Sequence, residues 1–314
     1  MTTANSLPKN VLIFGATGLI GKYIIQEIYN ARSSFDKIGF FTSGSSAQNK
    51  ADEINAWKEK GIDVIIGDVN SEKDVTKAYE GYDTVVSALG RNALLAQITL
   101  IKLAETSPSI QYFYPSEYGT DIEYNTSSAA EKPHQLKLQV RKYIRENTKK
   151  LKVTYLVTGP YSDLYFGKIT EPQLGGFDVK ERKAVLLGTG EERVSFTTEK
   201  DVGRLLVAAL KTSTSDRERI LKVNSFTATP NQALAEFEKQ TGAKWDVSYT
   251  SLGDLQKAEA KAWETDSWLK TAYTLRRIWT QGKTLYEQSD DAKIGFDSPE
   301  SLEEQVKKLI ERQA

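Results

Sequence analysis

The chain has no cysteine, a single histidine and no excess of either charge, and each lack removes a class of function. Without cysteine there is no disulfide framework and no thiolate to act as nucleophile or ligand. With one histidine and no cysteine, a metal site lacks its usual donors, so no metal is expected. A Ser-His-Asp hydrolase would have to use that histidine, His134, and Ser116 lacks the context of a nucleophile elbow. His134, beside Pro133 in a polar stretch, reads instead as a loop residue or the rim of a pocket. The 42 basic residues are matched by 42 acidic ones, so no nucleic-acid footprint is expected. The leading segment, Met1–Pro8, is polar and has no apolar core. Neither a signal peptide nor a membrane anchor is expected there, and a cytoplasmic protein with no membrane partner is the simplest expectation. There is no Walker-type loop, no repeat at solenoid periods and no low-complexity segment.

What is present is organised around residues 11–21, which read VLIFGATGLIG. An apolar run stops at Gly15, and Gly18 and Gly21 follow at spacings of three. Ile24, Ile25 and Ile28 then set an apolar face at helical spacing, so the stretch predicts strand, tight turn, helix. Gly15 permits the turn. Gly18 lets a pyrophosphate approach the backbone, and Gly21 lets the helix lie close on the strand. The helix N-terminus offers unpaired N–H groups and partial positive charge to phosphates. Thr17, Leu19 and Ile20 lie in the same turn. The bland alternative is an ordinary strand-to-helix turn.

Strands then alternate with helices. Lys37–Thr42 reads as the second strand, and its end, Ser43 to Ser46, carries no acid to grip ribose hydroxyls. Asp36 stands at the wrong end. Ser43, Ser45 and Lys50 suit a 2′-phosphate, which favours NADP over NAD, unless this is only a polar loop. A helix over Ala47–Lys60 precedes a third strand, Val64–Asp68. Asp68 either borders an adenine or caps the helix that begins near Ser71. The fourth strand, Thr84–Ala88, leads into Leu89 and Gly90, and the small residues at this strand end let a ribose and nicotinamide pass. A helix over Ala93–Glu105 follows. The fifth strand ends in Tyr114-Pro115-Ser116-Glu117-Tyr118-Gly119. A helix over Gln135–Asn147 buries Leu136, Val140, Tyr143 and Ile144. Lys137 stands near its start, where pattern alone reads a solvated surface group. A sixth strand is Val153–Val157. This rhythm predicts an α/β protein with a doubly wound parallel sheet, ligands lying over the carboxyl ends of its strands.

After residue 158 the rhythm changes. The aromatic stretch Tyr161 to Gly167, with Tyr165 and Phe166, is glycine-flanked and is not expected to form a regular helix. It lines a pocket for a small aromatic molecule or is simply a buried loop. Ala184–Gly188 and Val194–Thr197 read as short strands of a hairpin-like region. Thr198–Asp201 caps a helix over Val202–Leu210, Ile220–Val223 is a further strand, and the rest is mostly helical. The expected division is a dinucleotide domain over 1–158 and a discontinuous, smaller, mostly helical lobe over 159–314 that binds substrate. Strands near 194–223 are expected to return to the first domain.

Gly15 to Gly21, Gly67-Asp68, Ser87-Ala88-Leu89-Gly90 with Gln97, and Pro115-Ser116-Glu117-Tyr118-Gly119 together resemble the NmrA-like proteins. These are atypical short-chain dehydrogenases of Rossmann fold that include isoflavone reductase-like enzymes, and the chain looks most like fungal members of the CipA type. The resemblance implies NADPH; together with the reading of the residues above, the expected contacts are Gly15, Thr17, Gly18, Leu19, Ile20, Ser43, Lys50, Asp68, Ala88, Leu89, Gly90, Pro115, Ser116 and Lys137. It also implies a small aromatic substrate walled by Tyr118, Tyr161, Tyr165 and Phe166, in a monomer or homodimer. The plant reductases open a Lys-x-x-Val-Arg stretch with their catalytic lysine, which corresponds to Lys137 in Lys137-Leu138-Gln139-Val140-Arg141. An ammonium there polarises a carbonyl, donates a proton or, desolvated, serves as base. There are two departures. Ser43 stands where the plant enzymes carry an arginine for the 2′-phosphate. No Tyr-x-x-x-Lys occurs, and Tyr143 is followed at the fourth place by Asn147. The expected activity is reduction of an aromatic or conjugated carbonyl compound. The alternative is an NmrA-type cofactor sensor that acts through protein partners and needs no proton donor.

Overall fold

Six apolar runs spaced by helices build one sheet, and a seventh strand joins from far along the chain. The computed structural model describes residues 7–314, so most of the leading segment lies outside the described residues. Its strands are β1 Asn10–Phe14, β2 Lys37–Thr42, β3 Asp63–Ile66, β4 Thr84–Ser87, β5 Tyr112–Tyr114, β6 Lys152–Val157, β7 Gly176–Asp178, β8 Lys183–Leu187, β9 Val194–Phe196, β10 Glu218–Lys222, β11 Phe226–Ala228 and β12 Asp246–Thr250. Its α-helices are α1 Gly21–Asn30, α2 Gly44–Asn49, α3 Ala51–Glu59, α4 Glu72–Ala78, α5 Ala96–Thr106, α6 Gln135–Asn147, α7 Ser162–Tyr165, α8 Glu199–Leu210, α9 Pro230–Thr241, α10 Leu252–Glu264, α11 Lys270–Thr280 and α12 Leu302–Gln313.

The main sheet has the order β10-β6-β5-β4-β1-β2-β3, every pair parallel. The order reverses between β1 and β4, which opens a crevice at the carboxyl ends of those two strands. Strands buried on both faces read as continuous apolar runs, as β1 and β4 do. On one face Ile24, Ile25 and Ile28 of α1 pack with Val202, Leu205 and Leu206 of α8. The two helices cross so closely that a Cβ on Gly203 would stand 2.5 Å from the Tyr23 carbonyl oxygen. On the other face Val75, Leu100, Ile101, Val140 and Ile144 of α4, α5 and α6 close the core.

The second lobe has its own core, in which Phe166, Phe177, Phe196, Phe237 and Trp245 meet. Two expectations fail here. Residues 184–188 and 194–197 do not form a hairpin: β8 lies between β7 and β12, while β9 pairs antiparallel with β11. Both edges of β8 are already taken, by β7 and β12, so the glycine turn at Gly188 and Gly190 leads β9 away to another partner. Residues Ser162–Tyr165 do form a helical turn, α7, because the main-chain bonds from Tyr165 and Phe166 back to Tyr161 and Ser162 need no apolar periodicity. The C-terminal region is mostly helical, as expected, with β12 set between α9 and α10. In the first domain, the helix expected over Ala47–Lys60 is two helices, because Lys50 leaves helical geometry at φ −126°. Beyond residue 159 only β10 pairs with the main sheet; β9 does not. Among the described residues no helix is long and apolar enough to cross a membrane.

Candidate active site

The glycine turn is built by contacts that exclude a side chain. Gly15 adopts φ +84°, and a Cβ on it would stand 2.5 Å from the Ala88 carbonyl oxygen. A Cβ on Gly21 would stand 2.0 Å from the Gly15 carbonyl oxygen, so α1 starts against the end of β1. The Gly18 amide donates to the Gly15 carbonyl at 3.0 Å and closes the turn. The N–H groups of Leu19 and Ile20, at the head of α1, have no partner within the chain among the described residues, as the first amides of a helix do not. Unpaired amides of this kind are what helix N-termini offer to an anion.

A groove of about 230 Å³ runs over this turn, lined by Gly18, Leu19, Ile20, Ala88, Leu89, Gly90 and Ser116. Ser116 also locks the two strand ends together. Its hydroxyl accepts from the Leu89 amide at 2.8 Å and bonds Ser87 Oγ at 2.9 Å, while its own amide donates to Gln97 Oε1 at 2.8 Å. Pro115 is buried and does not line the groove. Thr17 is half-buried, and its carbonyl accepts from Lys50 Nζ, which brings that ammonium onto the glycine turn. Ser43 caps α2: its hydroxyl accepts from the Ser46 amide and bonds the Ser45 and Ser46 hydroxyls. Asp68 is exposed and is not the cap of α4; Ser71 is, accepting from the Asp74 amide. Asp68 holds its own turn, accepting from the Asn70 main-chain and side-chain nitrogens at 2.9 and 3.1 Å.

Behind the groove lies a second, mostly apolar cavity of about 300 Å³ between the two lobes. Its floor comes from the residues after β5 and β6, including Tyr118, Thr120, Ile122, Pro160 and Tyr161, and its roof from Ala272, Leu275, Arg276 and Trp279 of α11. Trp279 Nε1 donates to Thr120 Oγ1 at 2.9 Å and pins roof to floor. Tyr165 lines the cavity, but Phe166 does not: it is wholly buried against Phe177 and Phe196 in the second core. The one-turn helix α7 sends adjacent side chains in different directions, which an expected loop could not reveal. Arg91, Tyr118, Lys137 and Tyr161 line groove and cavity together, so the two spaces meet at these four side chains.

Lys137 lies in the first turn of α6 and donates from Nζ to the Glu117 main-chain carbonyl. Burial lowers its ammonium from the ordinary 10.5 to about 8; Glu117 pulls it up, and Arg91 and Arg141 push it further down. The Glu117 carboxylate does not pair with Lys137. It accepts from Arg141 Nε at 2.9 Å, in an ion pair with both side chains shielded from solvent, and Arg141 Nη1 reaches Glu123 at 2.6 Å. Arg141 sits one turn beyond Lys137, on the face that the helix pattern assigned to apolar residues alone, where Leu136 and Tyr143 are only partly buried. Tyr161 donates to the Tyr118 carbonyl, and the Tyr118 hydroxyl is buried without a partner. His134 is buried in the cavity wall. Its Nδ1 lies 2.9 Å from the Ser128 carbonyl, which can only accept, so the proton is on Nδ1 and Nε2 is an unpartnered acceptor. Burial lowers its pKa, so the neutral form is favoured.

Sequence reasoning assigned no site role to Arg91, Arg276 or Trp279. Arg276 had no local signal: it lies next to Arg277 on an amphipathic helix, and only the crossing of α11 over β5 and β6 separates their surroundings.

The sequence model of the NmrA-like family matches residues 8–262. Isoflavone reductase of Pisum sativum is 24% identical over 289 residues, 88% of this chain and 89% of that protein. Two solved structures share the fold. The complex of leucoanthocyanidin reductase with NADPH from Vitis vinifera has a TM-score of 0.77 at 21% identity, covering 96% of this chain and 99% of that one. AtPrR2 with NADP+ and (+)pinoresinol has a TM-score of 0.80 at 18% identity, covering 97% and 99%.

Proposed function

Because this chain belongs to the NmrA-like family, we propose that it is an NADPH-dependent reductase delivering hydride to an aromatic or conjugated carbonyl compound of phenylpropanoid or secondary-metabolite type. One observation carries this reading: Lys137 stands where the groove over the glycine turn opens into an aromatic-walled cavity. A proton donor is needed at that junction and nowhere else.

The groove fits a dinucleotide. Gly18 leaves open backbone beside the free amides of Leu19 and Ile20, which suits a diphosphate. Ala88, Leu89 and Gly90 lead past Ser116 to Lys137, the path a ribose and nicotinamide would take. Lys50 and the Ser43 cluster supply a cation and hydroxyls for a 2′-phosphate, in place of an acid that would repel it. When bound, NADPH supplies the hydride; the protein supplies position and the proton. Tyr118, Tyr161 and Tyr165 wall the substrate ring. As charge builds on the carbonyl oxygen, the Lys137 ammonium donates its proton there. A value near 8 keeps the ammonium mostly protonated at neutral pH and makes it a stronger acid than an ordinary lysine. Relatives named as isoflavone and leucoanthocyanidin reductases support the same class of chemistry.

The missing Tyr-x-x-x-Lys favours a second reading, a cofactor sensor acting through protein partners. Such a protein needs the groove but has no use for the cavity. The test is NADPH oxidation with a panel of aromatic aldehydes, enones and quinones, by wild-type protein and by Lys137→Ala. A loss of about 100-fold or more in kcat with NADPH binding retained is expected. Turnover that survives the change refutes the mechanism. Tight NADPH binding with no turnover of any member supports the sensor.

A further inference from the structure

The cavity is lined by three cations, Arg91, Lys137 and Arg276, and by no aspartate or glutamate. All three are held by main-chain carbonyl oxygens instead of carboxylates. Arg91 donates to Pro133, Lys137 to Glu117, and Arg276 to Leu164 and Tyr165. A carbonyl dipole orients a cation but does not cancel its charge, so the cavity carries uncompensated positive charge within an apolar wall. Arg91 and Lys137 also border the groove, so a bound dinucleotide lies beside them. Arg276 borders the cavity alone, so the cofactor gives it no counterion. Its neighbour Arg277 shows the contrast: that side chain pairs with Glu131 at 2.6 Å and with Glu259 at 2.5 Å.

Holding the end of α7 does not exhaust Arg276. Its two main-chain bonds use one hydrogen on each terminal nitrogen, and a guanidinium has five. Its central carbon lies 4.1 Å from the Tyr165 ring centroid and 6.0 Å from that of Trp279, both of which line the cavity. A planar fork against two aromatic walls is suited to a carboxylate attached to an aromatic ring.

We propose that the substrate is an aromatic carboxylate whose anionic group is held by Arg276, on the side of the cavity away from the groove, with its reducible carbon toward Lys137. The assignment rests on the reductase reading and narrows it, since a neutral aromatic would leave Arg276 without a counterion.

The test compares trans-cinnamate with methyl trans-cinnamate, which differ in charge but share a ring and chain. Each is titrated calorimetrically into the NADPH-loaded full-length protein. The acid is expected to bind at least about tenfold tighter than the ester, the scale of one charged hydrogen bond. Arg276→Gln should remove that preference while leaving NADPH affinity unchanged, and Arg276→Lys should restore part of it. An ester that binds as well as the acid, a preference that persists in Arg276→Gln, or no binding of either compound overturns the assignment. Turnover of neutral enones by the same preparation is measured alongside. If it is present, the reductase reading stands although this assignment falls; if no carbonyl compound of either kind is reduced, the reductase reading falls as well.

Discussion

Replacing Lys137 by methionine should make the protein more stable at neutral pH and inactive. The ammonium is held near 8 instead of 10.5 chiefly by burial. That gap corresponds to about 3 kcal/mol of destabilisation, reduced to about 2 kcal/mol because the side chain keeps partial contact with water. Methionine removes this penalty and fills similar space, but leaves the Glu117 carbonyl without its donor, at about 1 kcal/mol. Lys137→Met should therefore be more stable than wild type by about 1 kcal/mol at pH 7. The pH dependence is the sharper signature. The folded state holds its lysine proton less tightly than the unfolded chain, so between pH 8 and 10.5 the unfolded chain binds more protons and wild-type stability rises with pH. Above that window both states are neutral and the penalty is gone. The difference between the two proteins should then reverse, with wild type ahead by about 1 kcal/mol. Urea unfolding of both proteins from pH 7 to 11 measures this, and subtracting the two curves removes tyrosine titration common to both. A difference that stays constant with pH would refute the claim that the lysine is buried and depressed. Full reductase activity in the variant would refute its role.

Two further outcomes follow from the same geometry. Gly21→Ala places a methyl 2.0 Å from a main-chain oxygen that has no room to withdraw, so either α1 lifts from β1 or the turn opens. Fluorescence titration should show NADPH affinity falling by about 100-fold or more, and wild-type affinity would contradict the turn as built. Arg141→Met strands Glu117 in the interior and should cost about 3–5 kcal/mol in chemical denaturation. The same network has an acid signature. Arg145, with Arg141, holds the Glu123 carboxyl down to about 2 against an ordinary 4.5. Its stabilisation is therefore complete above pH 4.5 and is lost as pH falls toward 2. Acid unfolding curves of wild type and Arg141→Met should converge over that interval, and curves that stay parallel would remove Arg141 from the account.

The dinucleotide half was legible because its signals are local. A strand that stops at Gly15, and a helix that must start against it at Gly21, are written within a few residues, and the contacts they make are with each other and with the adjacent β4. The parallel sheet follows from strands and helices alternating at short spacing. An acid beside a helix start suits two roles, and for Asp68 the structure removed one of them, since Ser71 took the cap. Phe166 misled because an aromatic next to a pocket-lining Tyr165 carries no mark of which way it points.

The sequence by itself determined the layered α/β architecture, the glycine turn and the helix that carries Lys137, since backbone sterics and apolar periodicity act over a single turn or strand. Only the tertiary structure decided what surrounds those elements. It buried Arg141 against Glu117, seated α11 over the ends of β5 and β6, and left Arg276 facing a cavity with no acid while Arg277 found two. Such pairings join residues from 18 to 146 positions apart, and their energy depends on burial and dielectric, which exist only once the chain has closed on itself.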